Sequence, residues 1–309
     1  LEKYGAKAIE IKFGQSAKGT QPVIRVKDLE TALLKQQQGN LVHPDPRDPS
    51  VQKAYRDGVC PNFYTYGRLP LWTEKSMMTH ISRLRDLGAK NIYFKMAGYD
   101  REDIRRVLRM ACEAQVDMLT FDGAGGGSGY SPSKMMNEWS LPTICLEDAV
   151  IRICEQLQSD GFTLPAIVIT GGFASEDQVF KGLAYGDGYV LGIGLCRASM
   201  AAAMTGKTIG EQIKAGDVPE RLKAYGSTIE EIFCDLPDLR ALYGTRANAF
   251  STGAIGVFSY LNKIAFGLKH FAALNRKFKI DLLDKSDLIP LTSEARALMS
   301  NEWFLPVNK

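Results

Sequence analysis

The chain has 309 residues, a formal net charge of +3, 45% hydrophobic residues and 24% charged residues. These are ordinary values for a globular protein of one large domain or two smaller ones. So small a charge, with no dense Lys/Arg stripe, gives no argument for nucleic acid.

The chain opens on LEKYGAKAIEIKF, a helix end running into a strand, with neither an initiator Met nor a signal-peptide pattern. The numbered chain is therefore expected to be a fragment or a processed piece. Ala8 to Phe13 alternates and reads as a strand, and Val26 to Gln38 has a helical pattern. Leu41 to Pro70, rich in Pro, Asp, Gly and Tyr, reads as a long ordered loop or insertion. Leu71 to Leu87 is an amphipathic helix stopped by Gly88. Asn91 to Met96 (NIYFKM) is a strand, Arg101 to Ala114 a helix, and Asp117 to Phe121 a strand. The pattern then repeats: helix at Leu146 to Leu157, strand at Ala166 to Thr170, helix at Ser175 to Ala184, strand at Tyr189 to Ile193. Ser175 suits the N-cap of its helix, with Glu176 and Asp177 in the first turn.

Strands alternating with helices imply a parallel sheet. Five such strands, followed by loops bearing Gly, Lys and Gln, point to an α/β fold of the (β/α)8 TIM-barrel type with its site at the strand C-terminal ends. The legible part is the C-terminal five or so βα units. Residues 1–200 are assigned to this barrel, with the insertion at 41–70, and residues 201–309 to a helical C-terminal extension. The apolar stretch 249–274 is broken by Asn262, Lys263, Lys269 and His270, so it reads as a packed amphipathic helix rather than a membrane span. Peripheral membrane contact is the alternative.

Six cysteines (Cys60, Cys112, Cys145, Cys154, Cys196 and Cys234) are widely scattered and form no CxxC pair. Neither zinc nor an iron–sulfur cluster is signalled, and no metal site is expected. Four lie in apolar or helix-like stretches and read as buried thiols, which suits a reducing, cytoplasmic setting.

The segment Phe121–Pro132 reads FDGAGGGSGYSP, with five glycines in seven residues directly after an apolar strand. Glycine has the largest backbone entropy cost on folding, so such a cluster signals a positive φ, close backbone approach, or a flexible linker. Its place at a strand C-terminal end favours the first two. Two more glycine turns lie at strand ends, Thr170-Gly-Gly-Phe173 and Leu191-Gly-Ile-Gly194. Singly, each is an ordinary tight turn; on successive βα units, backbone N–H groups beside a helix N-terminus form an anion cradle. Lys95 sits inside a strand, where burying an unpaired lysine is costly. It either snorkels to solvent or faces an anionic cofactor. Gln15 and Lys18, in the loop after the first strand, offer an amide and an ammonium to a carboxylate or a ring.

These segments resemble the FMN-binding synthase domain of the glutamate synthase family and its shorter relatives. IEIKFGQSAKG is similar to the family's KIGQGAKPG signature. FDGAGGGSGYSP is similar to its DGxxGGTGAxP loop, with Ser128 in place of Thr and Tyr130 in place of Ala. NIYFKMAG, TGGF, YVLGIG and the tail KFKIDLLDKSDLIPLT have counterparts in the same order. The resemblance implies FMN as cofactor. It implies Lys95 at the pyrimidine edge of the flavin, and Asp122, Gly125, Gly126, Gly127, Ser128 and Gly129 against the ring, where a Cβ would collide with the cofactor. It further implies Gly171, Gly172, Gly192, Ile193 and Gly194 at the phosphate, and Gln15 and Lys18 on the carboxylates of 2-oxoglutarate. The expected reaction is formation of L-glutamate from 2-oxoglutarate and ammonia by reduction of an imino acid. The alternatives are an FMN oxidoreductase of the same barrel acting on another substrate, and a non-catalytic flavin-binding subunit.

Four departures shape that expectation. After the last strand, GLCRASMAAAMTGK carries Cys196 alone, so the family's three-iron cluster is not expected. No cysteine amidotransferase domain is legible in these residues, so glutamine is not expected as the ammonia donor within this chain. The stretch after Gly19, GTQPVIRVKD as read from that glycine, is shorter than in the family. The first barrel strands have no counterpart before Leu1 and are expected in an upstream or companion segment. With no GxGxxG fingerprint, the electron donor is expected to be ferredoxin or a partner reductase.

Overall fold

In the computed structural model, which describes residues 2–13, 24–66, 72–98, 100–126 and 140–300, the strands are numbered β1 to β8 in chain order. Tertiary contacts divide the chain into two units, Leu1–Gly171 and Gly172–Lys309.

The first unit is built on β1 (Ala8–Lys12), β5 (Asn91–Ala97), β6 (Met118–Asp122) and β7 (Ala166–Thr170), adjacent in that order and parallel. Residues paired in register share a face of the sheet. One face carries Ile92, Phe94, Met96, Leu119, Phe121, Ile167 and Ile169, all buried. Full burial of each such side chain contributes about 1.5–3 kcal/mol. The helices α3 (Glu74–Asp86), α4 (Arg101–Glu113) and α5 (Thr143–Ser159) alternate with these strands. α4 and α5 pack against each other and α5 against β7, and Ile104, Leu108, Leu146, Val150 and Ile153 are buried with the sheet. The opposite face is polar towards the strand C-terminal ends and holds Lys95, Thr120, Asp122 and Thr170. Parallel strands with intervening helices were expected, and the register reveals which face is which.

Between β1 and α3 lies a small α/β element, and its part from Leu41 onward, expected as a long ordered loop or insertion, holds two strands and a helix. β2 (Ile24–Val26), β3 (Leu41–His43) and β4 (Phe63–Tyr66) form an antiparallel sheet in the order β2–β4–β3, with α1 (Leu29–Gln37) and α2 (Pro49–Arg56). Val26, Ala32, Val42 and Phe63 form its core, joined by Leu29, Val51 and Tyr55. Strands of three or four residues carry too little alternation to register as a period. Asp48, in the turn-rich run, is in fact an N-cap whose Oδ1 accepts from Ser50 N–H at 2.8 Å, with Pro49 opening the helix. The helix expected from Val26 begins instead at Leu29, where the Asp28 side chain accepts from Thr31 N–H at 2.7 Å.

The second unit comprises α6 (Glu176–Tyr185), β8 (Val190–Gly194), α7 (Arg197–Lys214), the short α8 (Ile229–Ile232), α9 (Leu236–Tyr243), α10 (Thr252–Leu274) and α11 (Ser293–Met299). α6 and α10 bury Val179, Phe180, Leu183, Ile264, Leu268 and Ala272 together with Leu283. α7 lies directly against α10. Among the described residues, no helix is long and apolar enough to cross a membrane, and α10 is a packed helix as its interrupted hydrophobicity suggested.

Candidate functional site

In the first unit, three neighbouring strands bring three polar side chains together. Lys95 lies two residues before Ala97, which pairs with Asp122, which in turn pairs with Thr170. Two residues of strand rise about 6.6 Å, which the lysine stem spans. Lys95 Nζ thus reaches to 3.3 Å from Asp122 Oδ1, and the Thr170 hydroxyl donates to the same oxygen. The Lys95 side chain keeps 24% of its exposure and that of Asp122 only 5%. A buried carboxylate and a half-buried ammonium form a charge-assisted pair at the strand ends.

The loops beyond these strands are stitched by backbone and hydroxyl groups. Gly98 N–H donates to Asp122 O at 3.2 Å, Gly123 N–H to Thr170 O at 2.8 Å, and Ala124 N–H to Leu141 O at 2.8 Å. Ser140 Oγ donates to Gly98 O at 2.9 Å and Thr143 Oγ1 to Gly171 O at 2.7 Å. Ser140 and Thr143 carry no motif that marks them in the sequence, and Thr170 stands there only as the first residue of a glycine turn.

The glycines here answer to the chain's own packing. A Cβ on Gly123 would lie 2.8 Å from Thr143 Cα. One on Gly126 would lie 2.9 Å from Asp122 Cβ and Gly123 O, and one on Gly171 3.0 Å from Gly123 N. Gly125 and Gly171 also have positive φ, 85° and 121°. At Gly123, Gly126 and Gly171 the atoms that approach closely belong to the protein itself.

Of the residues singled out in the sequence, Lys95 and Asp122 meet directly, with Gly125, Gly126 and Gly171 in the adjoining turns. Gln15, Lys18, Gly127, Ser128 and Gly129 lie outside the described residues. In the second unit, Gly172 has φ of 83° with open space where a Cβ would stand. Gly192, Ile193 and Gly194 close β8. The Ile193 side chain packs on the α6–α10 core.

Thiol chemistry finds no support in the core of the first unit. Burial pushes Cys154 up to about 12 and Cys112 up to about 11, so neither is a thiolate near neutral pH. Cys145 and Cys60 are half-buried, so two of the six thiols are fully buried rather than four. Among the described residues, no group of three or more His, Cys, Asp or Glu side chains is placed to hold a metal ion.

A parallel α/β sheet with a polar cluster and glycine turns beyond the carboxyl ends of its strands has the layout in which such sheets bind ligands. Residues 70–203 match the family described as the conserved region in glutamate synthase, a match that supports membership of that family. The matched segment includes Lys95, Asp122, both later glycine turns and β8. No curated protein matches the chain.

Proposed function

We propose that the protein is an FMN-dependent oxidoreductase that forms L-glutamate from 2-oxoglutarate and ammonia. The observation that carries this reading is the partly buried Lys95 ammonium, held at the strand ends within the segment that matches the glutamate synthase region. Within the first unit, the fit to a flavin rests on that cation and on the adjoining glycine turn, where Gly125 has a positive φ of 85°. When bound, the flavin supplies the two-electron chemistry. Lys95 stabilises negative charge at the pyrimidine edge of the ring. For Gly171, Gly172, Gly192, Ile193 and Gly194 the role is to present N–H groups to the phosphate, and for Gln15 and Lys18 to take the carboxylates of the oxo acid. Electrons come from ferredoxin or a partner reductase. The barrel is of the (β/α)8 type, and β1, the last strand on its side of the sheet among the described residues, is where a companion segment would pair.

A second reading, an FMN oxidoreductase of the same barrel acting on another substrate, is favoured by the short stretch after Gly19. The test is a purified yellow protein whose released cofactor is FMN and not FAD, reduced and then reoxidised with 2-oxoglutarate plus ammonia. Reoxidation only by another acceptor selects the second reading. A colourless protein that takes up no flavin rejects both. Lys95→Met is expected to slow flavin reduction by about a hundredfold or more, the usual scale for losing one charge-stabilising contact, and to lower that rate far more than it lowers stability.

A further inference from the structure

The lysine is commonly the long, mobile member of such a site, and here the structure shows what holds it. Asp122 is fixed twice. Its backbone carbonyl accepts from Gly98 N–H at 3.2 Å and from Ser140 Oγ at 3.3 Å. Its side chain accepts from Thr170 Oγ1 through the oxygen that faces Lys95. Thr170 is itself anchored, since its carbonyl accepts from Gly123 N–H at 2.8 Å. The Lys95 ammonium is therefore tethered to a rigid, buried carboxylate while a quarter of its side chain still faces outward.

We propose that Asp122, oriented by Thr170, is the positioning residue of this site: it fixes the Lys95 ammonium in one place and offsets its charge. A ring bound beside Lys95 then meets an oriented ion pair rather than a bare cation. The affinity of that ring for negative charge is held below what lysine alone would give. Pre-organisation also means that Lys95 loses little freedom when a ligand arrives. The consequence at a flavin rests on the function proposed above; the clamp on Lys95 does not.

The experiment compares wild type, Asp122→Asn, Thr170→Val and Thr170→Ser. Valine matches threonine in shape and removes only the hydroxyl, whereas serine keeps it. The first readout needs no flavin: the rate at which acetic anhydride acetylates Lys95, followed by mass spectrometry against exposed Lys53. Loss of one charge-assisted hydrogen bond is expected to raise that rate about tenfold in Asp122→Asn. A smaller rise is expected in Thr170→Val, with Thr170→Ser behaving as wild type. The second readout is sulfite affinity of the flavin-loaded protein. It should tighten by about tenfold or more in Asp122→Asn, as removal of a nearby unit charge at an effective dielectric near 20 implies.

Equal Lys95 labelling in wild type and Thr170→Val overturns the clamp, and this pair decides the matter even where Asp122→Asn fails to fold. Unchanged sulfite affinity in a folded, flavin-loaded Asp122→Asn overturns the charge offset. A wild type that takes up no flavin overturns the proposed function, while the labelling contrast still decides whether Asp122 and Thr170 hold Lys95.

Discussion

The two units use glycine for the same physical purpose and reach different ends. In the first, Gly123 and Gly171 let the loops after β6 and β7 close on the start of α5, where a Cβ on Gly123 would lie 2.8 Å from Thr143 Cα. In the second, Gly206 on α7 and Gly256 on α10 let two helices touch along their backbones. A Cβ on Gly206 would lie 2.5 Å from Thr252 O, and one on Gly256 2.7 Å from Ala202 O. Removing side chains at strand ends makes room for polar groups to converge. Removing them along a helix pair makes a tight, inert seam. A glycine cluster therefore reports close approach, and only its position relative to sheet and helix tells whether a site results.

The sharpest way to break the comparison is to add bulk on each side of it. Gly206→Leu should cost about 3 kcal/mol, the upper part of the usual range for overpacking, because the obstacle is the backbone carbonyl of Thr252 and cannot rotate away. Urea unfolding would read it, and a cost under half of that figure would mean that the α7–α10 seam is loose. Gly123→Ala should cost about 2 kcal/mol, since one methyl group meets the Thr143 backbone. It should also disturb Lys95 labelling, because Gly123 N–H holds the Thr170 carbonyl. Gly206→Leu should leave that labelling unchanged, and equal disturbance by both would erase the distinction between seam and site.

The second unit has its own ion cluster, with no glycine turn around it. Lys277 Nζ lies 2.7 Å from both Asp284 Oδ2 and Asp287 Oδ2. The hydrogen bond from Lys277, followed by that from Ser286, holds the Asp284 carboxyl down at about 2. A carboxyl depressed in the folded state stabilises above its unfolded value, and that contribution fades as pH falls towards the folded one. Hydrogen exchange in residues 277–288 should therefore stay slow at pH 5 and accelerate between about pH 4 and pH 2. Asp284→Asn should remove that acid step; a step that survives the substitution would assign it elsewhere.

The mildest contrast is in thiol reactivity, which leaves stability untouched. Cys196 and Cys234 are exposed in the second unit, whereas Cys112 and Cys154 are buried in the first. Iodoacetamide at pH 8 should modify the exposed pair in native protein. It should spare the buried pair until denaturant is added, since burial raises both buried thiols far above that pH. Early labelling of Cys154 would show that the α4–α5 layer opens readily.

Much of this architecture was legible along the chain. NIYFKM and AIVIT announced β5 and β7 by alternation and bulk, Gly88 marked the end of α3 with a φ of 91°, and Ser175 took the N-cap of α6. The three-stranded element at 24–66 was missed because its strands are short and its stabilising pairs are distant: Val26 opposes Phe63, and His43 opposes Tyr64. Antiparallel pairing across such an interval leaves no periodic trace.

By itself, the sequence determined the order of strands and helices, the strand-end position of the glycine turns and the placing of Lys95 within a strand. Each of these follows from local periodicity, capping and backbone freedom. Only the tertiary structure decided that Asp122 is the partner of Lys95 and that Thr170 shares its oxygen. It alone showed that the turn glycines yield to Thr143 and to one another. Those outcomes depend on the register between parallel strands. A shift of one residue would turn Asp122 to the opposite face of the sheet, among the buried aliphatic side chains, and register is set by long-range packing that no local pattern encodes.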